Sequence, residues 1–170
     1  MSARILMAAA GMIDPIAHVA QISREVANGL LVEWGHRMGP LNRGNTCGEN
    51  HHALYVLGRP VALASSSGLI REHVGGGLSD LTRANTVELS RLCAGERWAC
   101  RVMLRLWREV IFPASGKRYA ISYQDAVLHT GSTYRLDGWR KHPIESRSGT
   151  DSRSGRKGRR KVIWIWERRP

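Results

Sequence analysis

This sequence predicts an α/β (α+β) fold with a mixed, mostly antiparallel central sheet flanked by helices, and three observations carry the expectation. Residues 87–139 read as strand, tight polar turn, amphipathic helix, strand and short helix. Residues 51–57 and 59–65 have strand composition on either side of Gly58, which suits a hairpin. The chain then returns at 162–166 to VIWIW, too apolar for a tail. The resulting order is βα, ββ, βα, βα, β, so crossovers and hairpins share one sheet.

Each element has a local reason. Residues 18–22 form a short strand, and Ser23 is a good N-cap for the helix after it. Glu25 falls in that helix's first turn, where a carboxylate meets the positive end of the dipole. Val26, Leu30 and Val32 give it an imperfect apolar face, and Gly39-Pro40 stops it. Residues 41–49 are loop. Ser65-Ser66-Ser67-Gly68 ends or bulges the second hairpin strand, and Gly75-Gly76-Gly77 marks a loop expected to lie near a ligand or to move. Residues 86–93 are the next strand. In the helix after that strand, Ala99, Met103, Leu106 and Val110 share one face, with Arg101, Arg105 and Arg108 lying away from it. Residues 113–117 turn the chain, 119–123 form a strand buried on both sides, and 129–137 form a short helix closed by Gly138. There are no internal repeats.

Composition bounds the partners. The chain has 170 residues, 42% of them apolar, which is enough for one domain with a real core. Residues 1–14 read as a loose N-terminal extension and 15–170 as the single domain. The net charge is +12 and uneven: residues 140–170 hold eleven Lys and Arg against three acids, which is +8 of the total. A field concentrated in this way points to a polyanion, with nucleic acid ahead of an anionic membrane surface. The basic loop 146–161 (SRSGTDSRSGRKGRRK) is tethered between ordered elements. Its Arg147, Arg153, Arg156, Lys157, Arg159, Arg160 and Lys161 suit phosphate contacts, which would position the protein on DNA without reading its sequence. The bland alternative is a solvated loop. Cys47, Cys93 and Cys100 are odd in number and lack zinc-like spacing, so the setting expected is a reducing cytoplasm without disulfides. No apolar run approaches the roughly 18–20 residues needed to span a bilayer, and no membrane partner is expected.

The strand, turn and helix around Gly95, Glu96, Arg97 and Trp98 resemble the pyrophosphate-binding element of the GNAT N-acyltransferases, a resemblance that extends over roughly residues 19–166. It implies acetyl-CoA or another acyl-CoA as cofactor, with Gly95, Arg97, Trp98, Cys100 and Arg101 beside it. The usual loop signature, Q/R-x-x-G-x-G/A, is reduced here to one glycine. In that fold a tyrosine on the following helix often protonates the departing thiolate, and Tyr134 takes the matching place. A narrower set (ELSRLC, then ISYQDAVLHTGSTYRLDGW, a basic loop and a Trp-rich strand) is similar to the Mom family of phage DNA-modification proteins. Those are divergent GNAT-like enzymes that modify adenine N6 in DNA by methylcarbamoylation. The resemblance implies Arg91 near the cofactor, catalytic roles for Asp125, Tyr134 and His36, and protection of phage DNA from restriction. It also raises iron, with Asp125, His129 and Tyr134 as the candidate ligands.

Adenine N6 is a poor nucleophile and is paired within the duplex, so such chemistry needs an extruded base, an aromatic or apolar pocket and a proton acceptor. Asp125 is a candidate general base or polar anchor; its alternative is capping the turn after it. Tyr134 is a candidate general acid; its alternative is a half-buried tyrosine with a satisfied hydroxyl. His51 and His52 point to opposite faces of their strand, so one reaches the site or both are solvated or packed. Trp98 covers a base or cofactor, or simply packs. Three functions therefore stand open: a DNA adenine-modifying enzyme, an acyl-CoA N-acyltransferase for a small amine or protein, and a non-catalytic DNA-binding module. A homodimer is open for all three.

Overall fold

The computed structural model describes residues 16–41, 48–143, 146–147 and 160–168. The extension 1–14, Cys47 and the centre of the basic loop, including Arg153, Arg156, Lys157 and Arg159, lie outside the described residues.

A central sheet runs in the order β1 (Ala17–Ile22), β2 (Asn50–Val56), β3 (Arg59–Gly68), β6 (Thr86–Ala94), β7 (Tyr119–Asp125), β10 (Arg160–Glu167) and β8 (Arg140–Lys141). The short β9 (Ser146–Arg147) also pairs with β10. Among the described residues only β6 and β7 pair in parallel; the other pairs are antiparallel, as the expected mixed sheet requires. A separate hairpin joins β4 (His73–Val74) to β5 (Leu78–Thr82).

Alternation along the strands divides the core. Helix α1 (Arg24–Glu33) buries Ala27, Leu30 and Leu31 against Ala53, Leu63 and Cys93 on one face. Its start is fixed by Ser23, whose hydroxyl accepts the Val26 N–H at 3.3 Å, a cap worth about 1 kcal/mol. On the same face the β4–β5 hairpin sets Val74 and Leu81 on Ile121, Ile163 and Ile165. The opposite face is covered by α2 (Ala99–Leu106), whose Ala99, Met103 and Leu104 meet Leu54, Ala62, Ala64 and Leu89. The short α3 (Ser132–Leu136) lies beside α2. Among the described residues no helix is long and apolar enough to cross a membrane.

The structure corrects four of the sequence expectations and places the predicted glycine loop. After Leu106 the helix widens into a π turn, Trp107–Ile111, then tightens into a 3-10 turn, Phe112–Ser115. One extra residue per turn rotates the rest of the helix and leaves Val110 64% exposed, while Arg108, one turn on from buried Leu104, is itself buried at 8%. Arg108 is held by Asp137 at 2.8 Å, below the Trp166 ring. Gly75-Gly76-Gly77 is the turn of the β4–β5 hairpin, with Gly76 and Gly77 at positive φ and the Gly76 carbonyl 2.8 Å from His142 Nε2. Strand β7 runs two residues further than expected, and Tyr123 on it is partly exposed. The basic loop is shorter than 146–161, because Arg147 pairs with Arg160 in the β9–β10 ladder and Ser146 with Lys161. The helix expected at 129–137 is confined to Ser132–Leu136, because residues 125–129 form a turn.

Candidate active site

The site begins with a defect in strand pairing. Along β3, Ser65 faces Arg91 and Ser66 faces Leu89, so Ser90 is an extra residue in β6. Such a bulge bends and twists its strand. On the other side, β6 pairs with β7 only from Thr86 to Glu88. Beyond Glu88 the two strands part, and a notch opens between them. At its apex the Leu89 carbonyl accepts the Ser122 hydroxyl at 3.0 Å, and the Tyr134 hydroxyl lies 2.8 Å from the same Ser122 oxygen.

Tyr134 is held there by aromatic packing. Its ring stacks on Trp164 with centroids 5.6 Å apart and meets Trp139 edge-on at 5.5 Å. Burial pushes its phenol up to about 12, so it carries its proton at neutral pH. Cys100, in the first turn of α2, is close enough for its charge to raise Tyr134 further. Burial in turn pushes the Cys100 thiol to about 11, which leaves it inert as a nucleophile.

The turn between β6 and α2 lies at the far end of β6. Gly95 gives its N–H to the Val61 carbonyl at 3.0 Å. A Cβ there would stand 2.7 Å from Trp34 Nε1, so this glycine makes room for an indole from the end of α1. Arg97 and Arg101 are exposed on either side of the α2 N-terminus, and Trp98 is 52% exposed between them. A helix N-terminus flanked by two guanidiniums and an exposed aromatic side chain suits an anion attached to a flat ring.

The α1 side of the notch holds Arg91 and two imidazoles. His36, just past α1, is driven down to about 4 by burial, then by Arg91 and His129 nearby. It is therefore a neutral imidazole. Its Nδ1 lies 3.3 Å from the Met38 N–H and accepts from it, which leaves the proton on Nε2. Asp125 caps its own turn, accepting the Val127 N–H on Oδ1 at 3.0 Å while its carbonyl takes the Leu128 and His129 N–H groups. Gln124 fastens that turn, donating to the His129 carbonyl and accepting from Trp164 Nε1 at 2.5 Å.

The structure thus gathers His36, Arg91 and His129 at one mouth and sets Tyr134 in the notch. The Tyr134 hydroxyl is engaged by Ser122, while Asp125 caps its own turn. Among the described residues no group of three or more His, Cys, Asp and Glu comes together to hold a metal. His51 and His52 do point to opposite faces. His51 lies 2.9 Å from the Ser65 hydroxyl and 3.5 Å from Glu49, which Arg24 also holds. His52 faces a cavity of about 1110 Å³ at the other end of the sheet, lined also by Val19, Ser66 and Ile111 and by none of the predicted site residues. Arg147, Arg160 and Lys161 belong to the strands at the base of the basic loop, and Lys161 pairs with Asp125. The loop therefore leaves and re-enters the sheet beside the end of β7. Sequence reasoning missed Ser122 and the Ser90 bulge. The visible signal was a serine among the buried positions of an apolar strand.

No protein-family model and no curated protein matches this sequence. Solved structures do share its architecture. An N-acetyltransferase from Staphylococcus aureus Mu50 superimposes with a TM-score of 0.63 at 7% identity, covering 90% of this chain and 98% of that one. A putative acetyltransferase from Salmonella typhimurium, solved with its cofactor acetyl-CoA, gives 0.60 at 11% identity, covering 90% and 94%. The aminoglycoside acetyltransferase AAC(6')-Ib, in complex with ribostamycin and coenzyme A, gives 0.61 at 12% identity, covering 91% and 94%. The chain has the GNAT fold.

Proposed function

We propose that this protein is a GNAT-type N-acyltransferase that takes an acyl-CoA into the β6–β7 notch and passes its acyl group to an amine arriving from the His36 side. The observation that carries the reading is the Tyr134 hydroxyl, protonated and packed against the apex where β6 and β7 part. The notch gives a thioester a strand edge to pair with, and the α2 N-terminus with Arg97 and Arg101 suits the pyrophosphate. The acetyl-CoA and coenzyme A complexes of neighbouring structures support the same donor. Arg91 and neutral His36 would meet the thioester carbonyl or the acceptor, and iron has no part in this reading.

A more specific acceptor, the N6 amino group of adenine in DNA, is favoured by one observation. The strongly basic segment is anchored at both ends next to Asp125, at the mouth where the acceptor enters. The Arg91 guanidinium on that side also suits an anionic acceptor better than a polyamine. On this reading, the product protects phage DNA from restriction.

Thiol release from acetyl-CoA, measured with DNA and with a panel of amines, tests the class. No release above the buffer rate with any acceptor, from protein that melts cooperatively, would remove it. Mass spectrometry of nucleosides from co-expressed plasmid DNA tests the acceptor, and unmodified adenosine alongside active transfer to a small amine would leave only the general reading.

A further inference from the structure

Three atoms at the notch fix the direction of a proton. The Leu89 carbonyl can only accept, so the Ser122 hydroxyl donates to it at 3.0 Å. A hydroxyl has one proton. Ser122 must therefore accept in its 2.8 Å contact with Tyr134, and the Tyr134 O–H is the donor. The chain runs from Tyr134 O–H to Ser122 O–H to the Leu89 carbonyl. Leu89 is available to this chain because the β6–β7 ladder stops at Glu88, one residue earlier.

We propose that Ser122 is a positioning residue that switches partners. At rest it draws the Tyr134 proton away from the notch, so the phenol offers lone pairs to whatever enters. During reaction it releases Leu89 and donates to the Tyr134 phenolate. This rests on the acyl-transfer function. In that reaction the acceptor nitrogen bonds to the thioester carbonyl carbon and the C–S bond breaks. Sulfur leaves with the bonding pair and takes the Tyr134 proton. Ser122 O–H then turns to the phenolate, and the proton shed by the acceptor nitrogen passes through water to restore the phenol. The Leu89 carbonyl, facing the open notch, is met by solvent or by the incoming ligand while Ser122 is turned away.

The neighbours leave this effect readable. Trp164 and Trp139 against the ring carry no charge, and the ionisable group that acts on Tyr134 is Cys100 of α2, whose thiol ionises near 11 and is present alike in wild type and Ser122 variants, so its effect cancels in the comparison. Among the described residues, Ser122 is the hydroxyl placed to donate to a Tyr134 phenolate.

The test uses protein labelled with fluorotyrosine, whose phenols ionise where the fold is stable. The four tyrosines give separate fluorine resonances, and Tyr134→Phe identifies the one of interest. Ser122→Ala should raise the Tyr134 transition by about one pH unit, the size expected when a phenolate is deprived of a charge-assisted donor. Ser122→Thr, which keeps the hydroxyl, should restore it. In thiol-release assays Ser122→Ala should lower kcat by about tenfold to a hundredfold with KM for acetyl-CoA within a few-fold, and Ser122→Thr should recover most of the rate. An unmoved transition in Ser122→Ala, or a loss confined to KM, overturns the proposal. Wild-type protein that releases no thiol overturns the acyl-transfer reading instead, while the fluorine titration still judges the Ser122 contact.

Discussion

Two polar clusters lie on the α2 face of the sheet, one at Tyr134 within α3 and one at Asp137 just past it, and they are finished differently. At Asp137 every described partner belongs to the protein interior or its edge. The carboxylate takes Arg108 at 2.8 Å, Arg105 at 3.2 Å and Trp139 Nε1 at 3.1 Å, and Arg108 also lies 4.1 Å below the Trp166 ring centre. At Tyr134 a chain of two hydroxyls ends on the Leu89 carbonyl, where a strand ladder has come apart. The first cluster closes on itself and fixes the end of α2 against α3. The second ends on a backbone carbonyl just past the last β6–β7 pair. A network that satisfies itself holds shape, and one that ends at an open strand edge is ready to exchange partners.

The contrast predicts opposite responses to truncation, and the largest effect should fall on stability. Asp137→Ala strips a buried guanidinium of its carboxylate, which typically costs about 3–5 kcal/mol. Glu109, 2.7 Å from Arg108 but more than half exposed, compensates only in part. A thermal melt should fall by many degrees, with activity per folded molecule retained. A melt like the wild type's would mean that the Asp137 cluster is no more structural than the hydroxyl chain.

Tyr134→Phe should do the reverse. It removes one oxygen and leaves the stacks on Trp164 and Trp139, so stability should change by about 1 kcal/mol or less. Acyl transfer should fall by about a hundredfold, the scale of losing a positioned general acid, with acetyl-CoA affinity within a few-fold. Thiol release beside a binding titration checks both. A drop in affinity without a drop in kcat would make the hydroxyl a binding group rather than an acid.

These differences also mark how much was legible in the sequence. The element order, Ser23 as a cap, the hairpin at Gly58 and the place of Tyr134 before Gly138-Trp139 could be read, because each rests on local spacing. The fate of Arg108 could not. A helical wheel built on Ala99, Met103, Leu106 and Val110 sets it outside, whereas the buried face runs through Leu104 and Trp107, and Arg108 lies one turn on from Leu104. The β4–β5 hairpin was read as loop because its first strand has two residues, too few to show alternation. Asp125 offered two roles from sequence, and its contact with the Val127 N–H realises the capping one. Ser122 passed unnoticed because a serine inside a buried strand acquires meaning only from the carbonyl that its neighbour leaves unpaired, and that depends on tertiary register.

A smaller effect should come from the basic loop. Changing Arg153, Arg156 and Arg159 to Gln should weaken duplex binding and reduce the slope of log affinity against log salt by about 2–3, near 0.9 for each phosphate no longer neutralised. Thiol release with a small amine acceptor should be unchanged, since the notch is built from other residues. Fluorescence anisotropy across a salt series measures the slope. An unchanged slope would separate the basic loop from the acceptor mouth and remove the support it lends to a DNA substrate.

The smallest effect should come from His36, and it tests how dry that mouth is. In the unfolded chain its imidazole takes a proton near 6.5, whereas burial, Arg91 and His129 hold the folded value to about 4. Between those values the unfolded state binds a proton that the native state refuses, so native stability falls as pH drops from about 6.5 to 4 and does not depend on this group above that window. His51 and His52 are lowered in the same direction by burial, so the wild-type curve contains all three. His36→Gln should flatten one part of the decline in denaturation midpoints recorded across that range. If the variant keeps the full wild-type slope, His36 titrates as a solvated histidine. The Arg91 side of the notch is then wet, and a neutral imidazole offering its Nε2 proton cannot be part of the site.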